Sequence, residues 1–322
     1  MALLLGFIGV LGFSFSLPAT RLAVEELDAT FVGLGRAVVA AALGGVLLVV
    51  LRQPRPRPEQ LGRLALVGVG VVVGFPLFTA LALRELTSAH GAVIVGLLPA
   101  ATAVMAVVRA GEHPSRGFWL ASGAGLVAVL VFAATQGAGG VGLADVYVLC
   151  AVALGALGYA EGGALARELG GWQTICWALL LAMPVVAPFA VAAAVTGDLS
   201  GGSDAWLGFA YVSLVSMFLG FFAWYAGLAR GGVAKIGQVQ LAQPVLTLGW
   251  SAALLGEEVG AATIAAALAV LASVAATQRT RVDGAGSGPR PSPAAPFRRA
   301  PADGTSGPPR SAPAAPVPRA DP

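Results

Sequence analysis

The chain has 322 residues, of which 57% are apolar and only 11% are charged. Soluble domains carry about 25% charged residues, so this chain has too few ions to cover a surface that faces water. The composition excludes an ordinary soluble enzyme and predicts an all-α polytopic membrane protein. Cys150 and Cys176 both fall inside apolar stretches, which argues against a disulfide framework.

The predicted elements are ten apolar stretches of about 20 residues, the length that a helix needs to cross a hydrocarbon core of about 30 Å. No basic residue precedes the first stretch, so we interpret it as a retained helix and not as a secretory signal. Short connections indicate a bundle with little mass outside the membrane. In chain order the predicted spans cover residues 2–20, 29–51, 62–83, 89–109, 117–136, 145–166, 172–196, 205–229, 233–256 and 260–279.

Basic residues are concentrated in alternate connections, which predicts the orientation because connections rich in Arg and Lys stay in the cytoplasm. Both termini are therefore expected to face the cytoplasm, and the richness in Arg, Ala, Gly and Pro favours a bacterial cytoplasmic membrane. The predicted inner connections hold Arg52, Arg55, Arg57, Arg63, Arg109, Arg116, Arg167, Arg230 and Lys235. The predicted outer connections hold Glu25, Glu26, Asp28, Glu85, Asp145, Asp198, Asp204, Glu257 and Glu258, beside Arg21 and Arg84.

Residues 282–322 differ sharply in composition from the spans. They are rich in Pro, Ala, Gly, Ser and Arg and have no apolar periodicity. Such a segment cannot bury enough surface to offset the entropy of ordering it, so we predict a disordered cytoplasmic tail.

The sequence repeats itself. The aligned segments are residues 74–84 with 220–230, which are 146 residues apart, and residues 99–112 with 244–257, which are 145 residues apart. We therefore divide the chain into a first five-helix repeat over residues 1–139 and a second over residues 140–281. Because five is odd, the second repeat is expected to cross the membrane upside down relative to the first, a recurring device of secondary transporters.

Each repeat contains a proline-bearing helix that ends in Gly-Glu, with the sequences LLPAATAVMAVVRAGE and QPVLTLGWSAALLGE. With ten spans and two five-helix copies, residues 2–280 resemble the EamA-type drug/metabolite transporters. The resemblance implies an inner-membrane protein with cytoplasmic termini, a central cavity, and export of amino acids or other small metabolites. These motifs specify the family and leave the substrate open.

Two charged residues, Arg36 and Glu161, stand out well inside predicted spans, where a charge costs about 2.5–3.5 kcal/mol and needs a partner, water or a function. Glu161 lies in span 6 near Tyr159 and, if it lacks a cationic partner, is a candidate proton carrier; the alternative is a side chain that snorkels or caps structure. Arg36 lies about 10 Å deep in span 2 and either binds an anionic group or reaches the outer interface. Their different depths argue against a salt bridge between them.

Span 9 carries Gln240 and Gln243, which lie three residues apart and therefore on one helix face. Pro244 clashes with the carbonyl of Gln240, which predicts a break that frees a polar backbone group beside two amides. Pro99 is the counterpart in span 4, where apolar residues replace the two glutamines. This asymmetry indicates a polar ligand site in one repeat; the alternative is hydrogen bonding that holds helices together.

Four residues form the predicted helix-break and gating set. Pro99 and Pro244 break their helices, and Glu112 and Glu257 end the same helices at opposite membrane faces. We interpret the two glutamates as structural or gating residues.

Aromatic residues and two basic residues complete the candidates. Tyr225 is expected to face the transport route and Trp224 to lie in the interfacial aromatic belt. Tyr211 is expected in an outer vestibule at the depth of Arg36. His90 and its counterpart Lys235 are expected at the two membrane interfaces.

The sequence predicts a secondary transporter that exports small metabolites or amino acids by alternating access, with proton coupling through Glu161. Its partners are a small-molecule substrate and the lipid bilayer, with the chain acting as a monomer or a homodimer, and we expect no nucleic acid. The predicted substrate-binding residues are Arg36, Tyr159, Glu161, Tyr225, Gln240 and Gln243.

The alternative from another class is a membrane scaffold or sensor that signals through its basic tail. A membrane-embedded enzyme is disfavoured because no HExxH, GxSxG or P-loop pattern occurs. Two histidines and two scattered cysteines offer no metal set, so we expect no metal and no cofactor.

Overall fold

The computed structural model describes residues 1–110, 113–114, 116–136, 141–279 and 282–283. Within these residues the chain is helical, apart from two short antiparallel strands, β1 (His113–Pro114) and β2 (Val282–Asp283). The all-α class predicted from composition is confirmed in this part of the chain. β2 is the first two residues of the predicted tail, and the rest of that tail lies outside the described residues.

The helices are numbered α1 to α10 after the ten predicted spans, and interrupted helices are given by their segments. The first five are α1 (Ala2–Ser14 and Ser16–Glu26), α2 (Ala29–Val50), α3 (Pro58–Val67, the π-helix Gly68–Gly74 and Phe75–Ala82), α4 (Ser88–Val95 and Leu98–Ala110) and α5 (Arg116–Gln136). The next five are α6 (Leu143–Leu169), α7 (Gly171–Thr196), α8 (Ser203–Tyr211, the π-helix Val212–Leu219 and Gly220–Gly231), α9 (Val233–Gly237, the 3-10 turn Gln238–Leu241 and Ala242–Leu255) and α10 (Ala261–Arg279).

Seven of these helices are long and apolar enough to cross a membrane, namely α1, α2, α3, α4, α6, α7 and α8. The other three contain shorter apolar stretches, Trp119–Ala128 in α5, Val239–Leu255 in α9 and Ala261–Ser273 in α10. The chain is therefore a multi-pass membrane protein, and the count of ten spans stays a prediction. α1 continues to Glu26, so Glu25 and Glu26 end a helix instead of lying in a connection.

Both proline-bearing helices are interrupted just before their prolines. α4 breaks at residues 96–97, ahead of Pro99, and α9 tightens into the 3-10 turn Gln238–Leu241, ahead of Pro244. A proline has no amide proton, and its ring clashes with the carbonyl four residues earlier, so regular helix ends on its N-terminal side. The breaks predicted from sequence are present in both helices.

π-helical segments occupy matching places in α3 and α8. The first ends at Gly74, and the second ends immediately before Gly220, 146 residues further on. A π turn shifts the faces that a helix presents and is frequent at functional sites. The same irregularity at the repeat spacing supports the two-repeat organisation.

Glycines bring α3 and α6 into backbone contact. A Cβ placed on Gly70 would lie 2.7 Å from the amide nitrogen of Gly158. Helices in lipid associate through such close van der Waals packing because burying apolar surface gains little there. At the end of α6 a single residue, Gly170, turns the chain into α7 with a φ of +96°, a left-handed backbone value that favours glycine.

The most extensive helix contacts join α2 with α7, α1 with α8, α5 with α10, and α6 with both α3 and α4. Replacing each helix by its counterpart in the other repeat maps α2–α7 and α5–α10 onto themselves and α1–α8 onto α6–α3. Two copies related by an approximate two-fold axis produce this pattern. The space between the copies is therefore formed by both repeats.

Candidate functional site

A small cavity with mainly apolar walls and a few polar groups lies between helices of the two repeats. Its volume is about 20 Å³, which is room for about one water molecule. Three of the six predicted substrate-binding residues, Arg36, Tyr159 and Gln243, meet on its walls. The cavity is lined by Phe13, Ser16, Leu17, Arg36, Val71, Phe75, Tyr159, Ser216, Phe221 and Gln243.

Irregular helix segments place polar groups at this cavity. α1 is interrupted at Phe15, and Ser16 starts its second segment. The π-helix of α8 contributes Ser216, and the hydroxyl of Ser16 donates to that of Ser216 at 2.7 Å. This buried hydrogen bond joins the two repeats beside the cavity.

Arg36 is a buried cation for which the described residues supply no ion-pair partner. Its exposed fraction is 3%, and its Nε has no hydrogen-bond partner in the described part of the chain. The alternative that Arg36 reaches the outer interface is therefore wrong. An isolated charge in an apolar interior costs several kcal/mol, so its position on a cavity wall indicates a site for an anionic group.

Tyr159 and Gln243 face the same cavity from the second repeat. Tyr159 lies within electrostatic reach of Arg36 and packs among Phe13 and Trp224, with ring centroids 6.1 Å and 5.4 Å away. The Oε1 atom of Gln243 is buried without a hydrogen-bond partner among the described residues. Two residues of the cavity wall therefore carry buried polar atoms without a partner in the described part of the chain, namely Nε of Arg36 and Oε1 of Gln243.

Gln240 is not on the wall of this cavity. It is 1% exposed, and neither its amide nitrogen nor its amide oxygen has a partner within the residues that the structure describes. Buried amides normally have hydrogen-bond partners, so Gln240, which lies in the 3-10 turn of α9, is an exception in the described part of the chain. The sequence placed the two glutamines together, and the break in α9 separates their surroundings.

Glu161 has a cationic partner and does not line the cavity. Its Oε2 accepts a hydrogen bond from Nε of Arg63 at 3.1 Å, and Arg63 also donates to Glu168 at 2.8 Å. The prediction of a proton carrier depended on the absence of such a partner, and that condition is not met. Glu161 instead ties α6 of the second repeat to α3 of the first.

The two aromatic residues at the end of α8 lie differently from their predictions. Trp224 is fully buried beside Phe13 and Tyr159, so its assignment to the interfacial belt is wrong. Tyr225 is also fully buried, and its hydroxyl donates to the carbonyl of Gly158 at 3.0 Å. Tyr225 therefore holds α8 against α6 instead of facing the cavity.

Tyr211 and His90 act as ties between helices. The hydroxyl of Tyr211 donates to the carbonyl of Gly12 in α1 at 3.0 Å. The ring of His90 lies 2.7 Å from a carboxylate oxygen of Asp145, which connects α4 with α6. The side chain of Lys235, the counterpart of His90, lies outside the described residues.

Glu257 caps the start of α4 from the other repeat. Its carboxylate accepts hydrogen bonds from the backbone amides of Ser88 and Ala89 at 2.9 Å and 2.8 Å. The hydroxyl of Ser88 bonds the same carboxylate and lies 2.7 Å from the hydroxyl of Ser251. We call Glu257, Ser88 and Ser251 the outer latch, after the membrane side that the sequence predicts for this end of the bundle. Glu112, the counterpart of Glu257, lies outside the described residues.

Two kinds of residue in this region were missed by sequence reasoning. Arg63 was assigned to a connection, although Pro58, typical of a first helical turn, places it inside α3. Ser16 and Ser216 carry no charge and have no signature in an apolar sequence. Only the fold shows that they meet.

Comparisons with known proteins agree with this architecture. The sequence profile of the EamA-like transporter family matches residues 1–134 and again residues 142–278. The chain belongs to the EamA-like transporter family. The two matches correspond to the two repeats, and the resemblance drawn from the proline-bearing helices is confirmed.

A relative and a solved structure extend the comparison. The chain is 49% identical over 274 residues to a Bacillus subtilis (strain 168) protein described as "Uncharacterized transporter YdeK", covering 85% of this chain and 96% of that protein. One crystal structure superposes with a TM-score of 0.59 at 18% identity and covers 85% of this chain and 95% of the other. At that identity the likeness shows the fold alone. This EamA-like chain is therefore a multi-pass membrane protein of a transporter family.

Proposed function

We propose that this EamA-like protein is a secondary transporter that exports a small metabolite across a bacterial cytoplasmic membrane by alternating access. Its ten helices form two inverted repeats, and the substrate binds at the cavity between them, which holds about one water molecule in this form and widens as one repeat moves against the other. The single observation that carries the proposal is Arg36, a buried cation on the wall of that cavity for which the described residues supply no ion-pair partner. A buried charge without a protein partner is retained where a ligand or water neutralises it.

The orientation in this proposal follows from the positive-inside bias of the connections. Both termini face the cytoplasm, so the outer latch lies at the outer end of the bundle. The latch joins α9 to α4 across the two repeats. Because alternating access moves one repeat against the other, contacts of this kind must break when the outer end opens.

Proton coupling through Glu161 is not part of this proposal, because Arg63 already pairs with that carboxylate. The tail-dependent scaffold is not proposed either, since no observation in the described residues favours it. Residues 284–322, on which that alternative depends, lie outside the described part of the chain.

Flux measurements in proteoliposomes test the proposal. We expect Arg36→Gln to abolish saturable uptake of the solutes that the native protein carries, because the cavity wall loses the one charge that the described residues place there. Arg84→Gln is the matched control, since Arg84 is an exposed arginine outside the cavity. Size-exclusion profiles and thermal unfolding in detergent check that both variants fold. Saturable transport that is unchanged in Arg36→Gln overturns the assignment of the site.

A further inference from the structure

We infer that the cavity binds a ligand with a net charge of −1. This ligand has one carboxylate and an apolar or aromatic body. Where an amino acid carries its ammonium group, it carries a neutral hydrogen-bond donor. The inference rests on the proposed function and narrows it to a class of substrate. It separates 2-hydroxy acids and related carboxylates from the zwitterionic amino acids of the same shape.

First, the charge of the cavity favours a carboxylate over a zwitterion. Arg36 is the one charged residue on its wall among the described residues. The acidic residues near the interface of the repeats are engaged elsewhere: Glu161 by Arg63, Asp145 by His90, and Glu257 by the first turn of α4. A carboxylate therefore neutralises the site, whereas a zwitterion brings a second cation close to the guanidinium in a medium of low dielectric constant.

The hydrogen-bonding groups carry the second step. Oε1 of Gln243 is a buried acceptor without a partner in the described part of the chain, so a ligand that satisfies it must donate a hydrogen bond. A hydroxyl or an amide N–H donates without adding charge. One ligand with a carboxylate and a neutral donor therefore satisfies both Arg36 and Gln243.

The apolar walls carry the third step. The rings of Phe13, Phe75 and Phe221 and the side chain of Leu17 complete the lining. Phe13 and Phe221 pack tilted against each other with centroids 5.0 Å apart, as aromatic rings do in a close-packed site. A substrate with an aromatic or branched body buries apolar surface against these rings, and this favours it over a small hydroxy acid.

The same aromatic rings could instead favour an amino acid over its hydroxy analogue. Aromatic faces attract cations, and together with Gln243 they offer an ammonium group a partial partner. An amino acid that binds more tightly than its hydroxy analogue is the result which that arrangement predicts. Matched pairs of ligands that differ only in this group decide between the two.

We test the inference with the full-length protein in nanodiscs and three pairs of ligands: 3-phenyllactate and phenylalanine, 2-hydroxyisocaproate and leucine, and lactate and alanine. Calorimetry at pH 7 measures the Kd values. Each hydroxy acid is expected to bind roughly tenfold to a hundredfold more tightly than its amino acid, and 3-phenyllactate more tightly than lactate. Arg36→Gln is expected to remove this binding, and Arg84→Gln to leave it unchanged.

A second variant isolates the neutral donor. In the native protein 3-phenyllactate is expected to bind more tightly than 3-phenylpropionate, which lacks the hydroxyl. Gln243→Leu is expected to remove that difference while leaving the affinity for 3-phenylpropionate within a few-fold. A hydroxyl preference that survives Gln243→Leu overturns the role given to this amide.

Counterflow of the six ligands in proteoliposomes distinguishes a failure of the proposed substrate class from a failure of the proposed transport function. Amino acids that bind more tightly than their hydroxy analogues overturn the monoanion class and leave the transporter in place. The same conclusion follows if the hydroxy acids do not bind and the amino acids show saturable counterflow. The absence of saturable counterflow for all six overturns the monoanion class, and the absence of saturable flux for every solute tested with the native protein overturns the proposed function as well.

Discussion

At the scale of the residue, Arg36 and Glu161 both bear the free-energy cost of burying a charge, but only Glu161 has an ion-pair partner in the described residues. Both side chains are almost fully buried in an apolar bundle. Glu161 receives a partner from another helix, because Arg63 lies 98 residues earlier but opposite it across the α3–α6 contact. Arg36 receives none in the described residues. The paired charge therefore holds two helices together, and Arg36 is the residue to which we assign the ligand in our proposal.

The ion pair of Glu161 leads to a prediction about pH. Glu161→Gln is expected to leave the pH profile of transport unchanged and to lower thermal stability, because it removes a tie between the repeats. A double-mutant cycle with Arg63→Gln is expected to give a coupling energy of about 1 kcal/mol, a modest value because the Arg63 side chain is 32% exposed. Thermal unfolding in detergent and flux at several pH values are the measurements. A pH profile that shifts in Glu161→Gln would show that this carboxylate carries protons after all.

At the scale of the element, the start of α4 explains why a carboxylate binds there. The first amides of a helix have no partner inside it and attract negative charge. Glu257 satisfies those of Ser88 and Ala89, and the hydroxyl of Thr87 accepts from the amide of His90. The carboxylate of Glu257, which follows α9 of the second repeat, therefore binds the first turn of α4 in the first repeat.

The two serines of the outer latch have no polar counterpart in the other repeat. At the repeat spacing of 145 residues, the counterpart of Ser88 is Val233 and that of Ser251 is Ala106. The serine hydroxyls that reinforce Glu257 therefore have no equivalent at the predicted cytoplasmic end. We expect the two gates to differ in strength although the repeats share a fold.

The latch is tested by access to the cavity from outside. In a chain with Cys150 and Cys176 replaced by alanine, a cysteine is introduced by Ser16→Cys on the cavity wall. Glu257→Ala is expected to raise its rate of reaction with a membrane-impermeant maleimide by about tenfold, because charged hydrogen bonds of roughly 1.5–3 kcal/mol are lost. Glu258→Ala is the control, since Glu258 is the exposed neighbouring residue. Equal rates in the two variants would show that Glu257 does not restrain the outer end.

At the scale of the whole molecule, the repeat explains why the cavity lies where it does. The contacts α2–α7 and α5–α10 are each their own counterparts, as expected if an approximate two-fold axis passes between the repeats. Groups near such an axis face one another from both copies. The side chains there differ between the copies, as Gln243 and its counterpart Leu98 show. An approximately symmetric scaffold thus encloses an asymmetric site.

Inversion of the repeats is tested by labelling equivalent connections. Ser115→Cys follows α4 and Gly260→Cys follows α9, and the two positions are 145 residues apart. In the same cysteine-free background, we expect an impermeant maleimide added to intact cells to label Gly260→Cys and not Ser115→Cys. In inverted vesicles the pattern reverses. Labelling of both from the same side would contradict inverted repeats and with them the alternating-access proposal.

The sequence by itself determined what depends on local chemistry. The cost of placing backbone and charge in lipid requires long apolar helices, and the stretches identified from composition correspond to helices. Prolines interrupt α4 and α9 because each acts on the turn that precedes it. Repeat matches and the Gly-Glu helix ends led to the family that the profile confirms. These features need no knowledge of which helices touch.

Only the tertiary structure decided which side chains are partners. Whether a buried charge is paired depends on residues about a hundred positions away, and helix periodicity says nothing about them. The sequence therefore placed Arg36, Tyr159 and Gln243 among the candidates but could not separate them from Glu161 and Tyr225. Long-range packing divides the set, since it puts Arg63 beside Glu161, buries Tyr225 against Gly158, and leaves Arg36 facing the cavity.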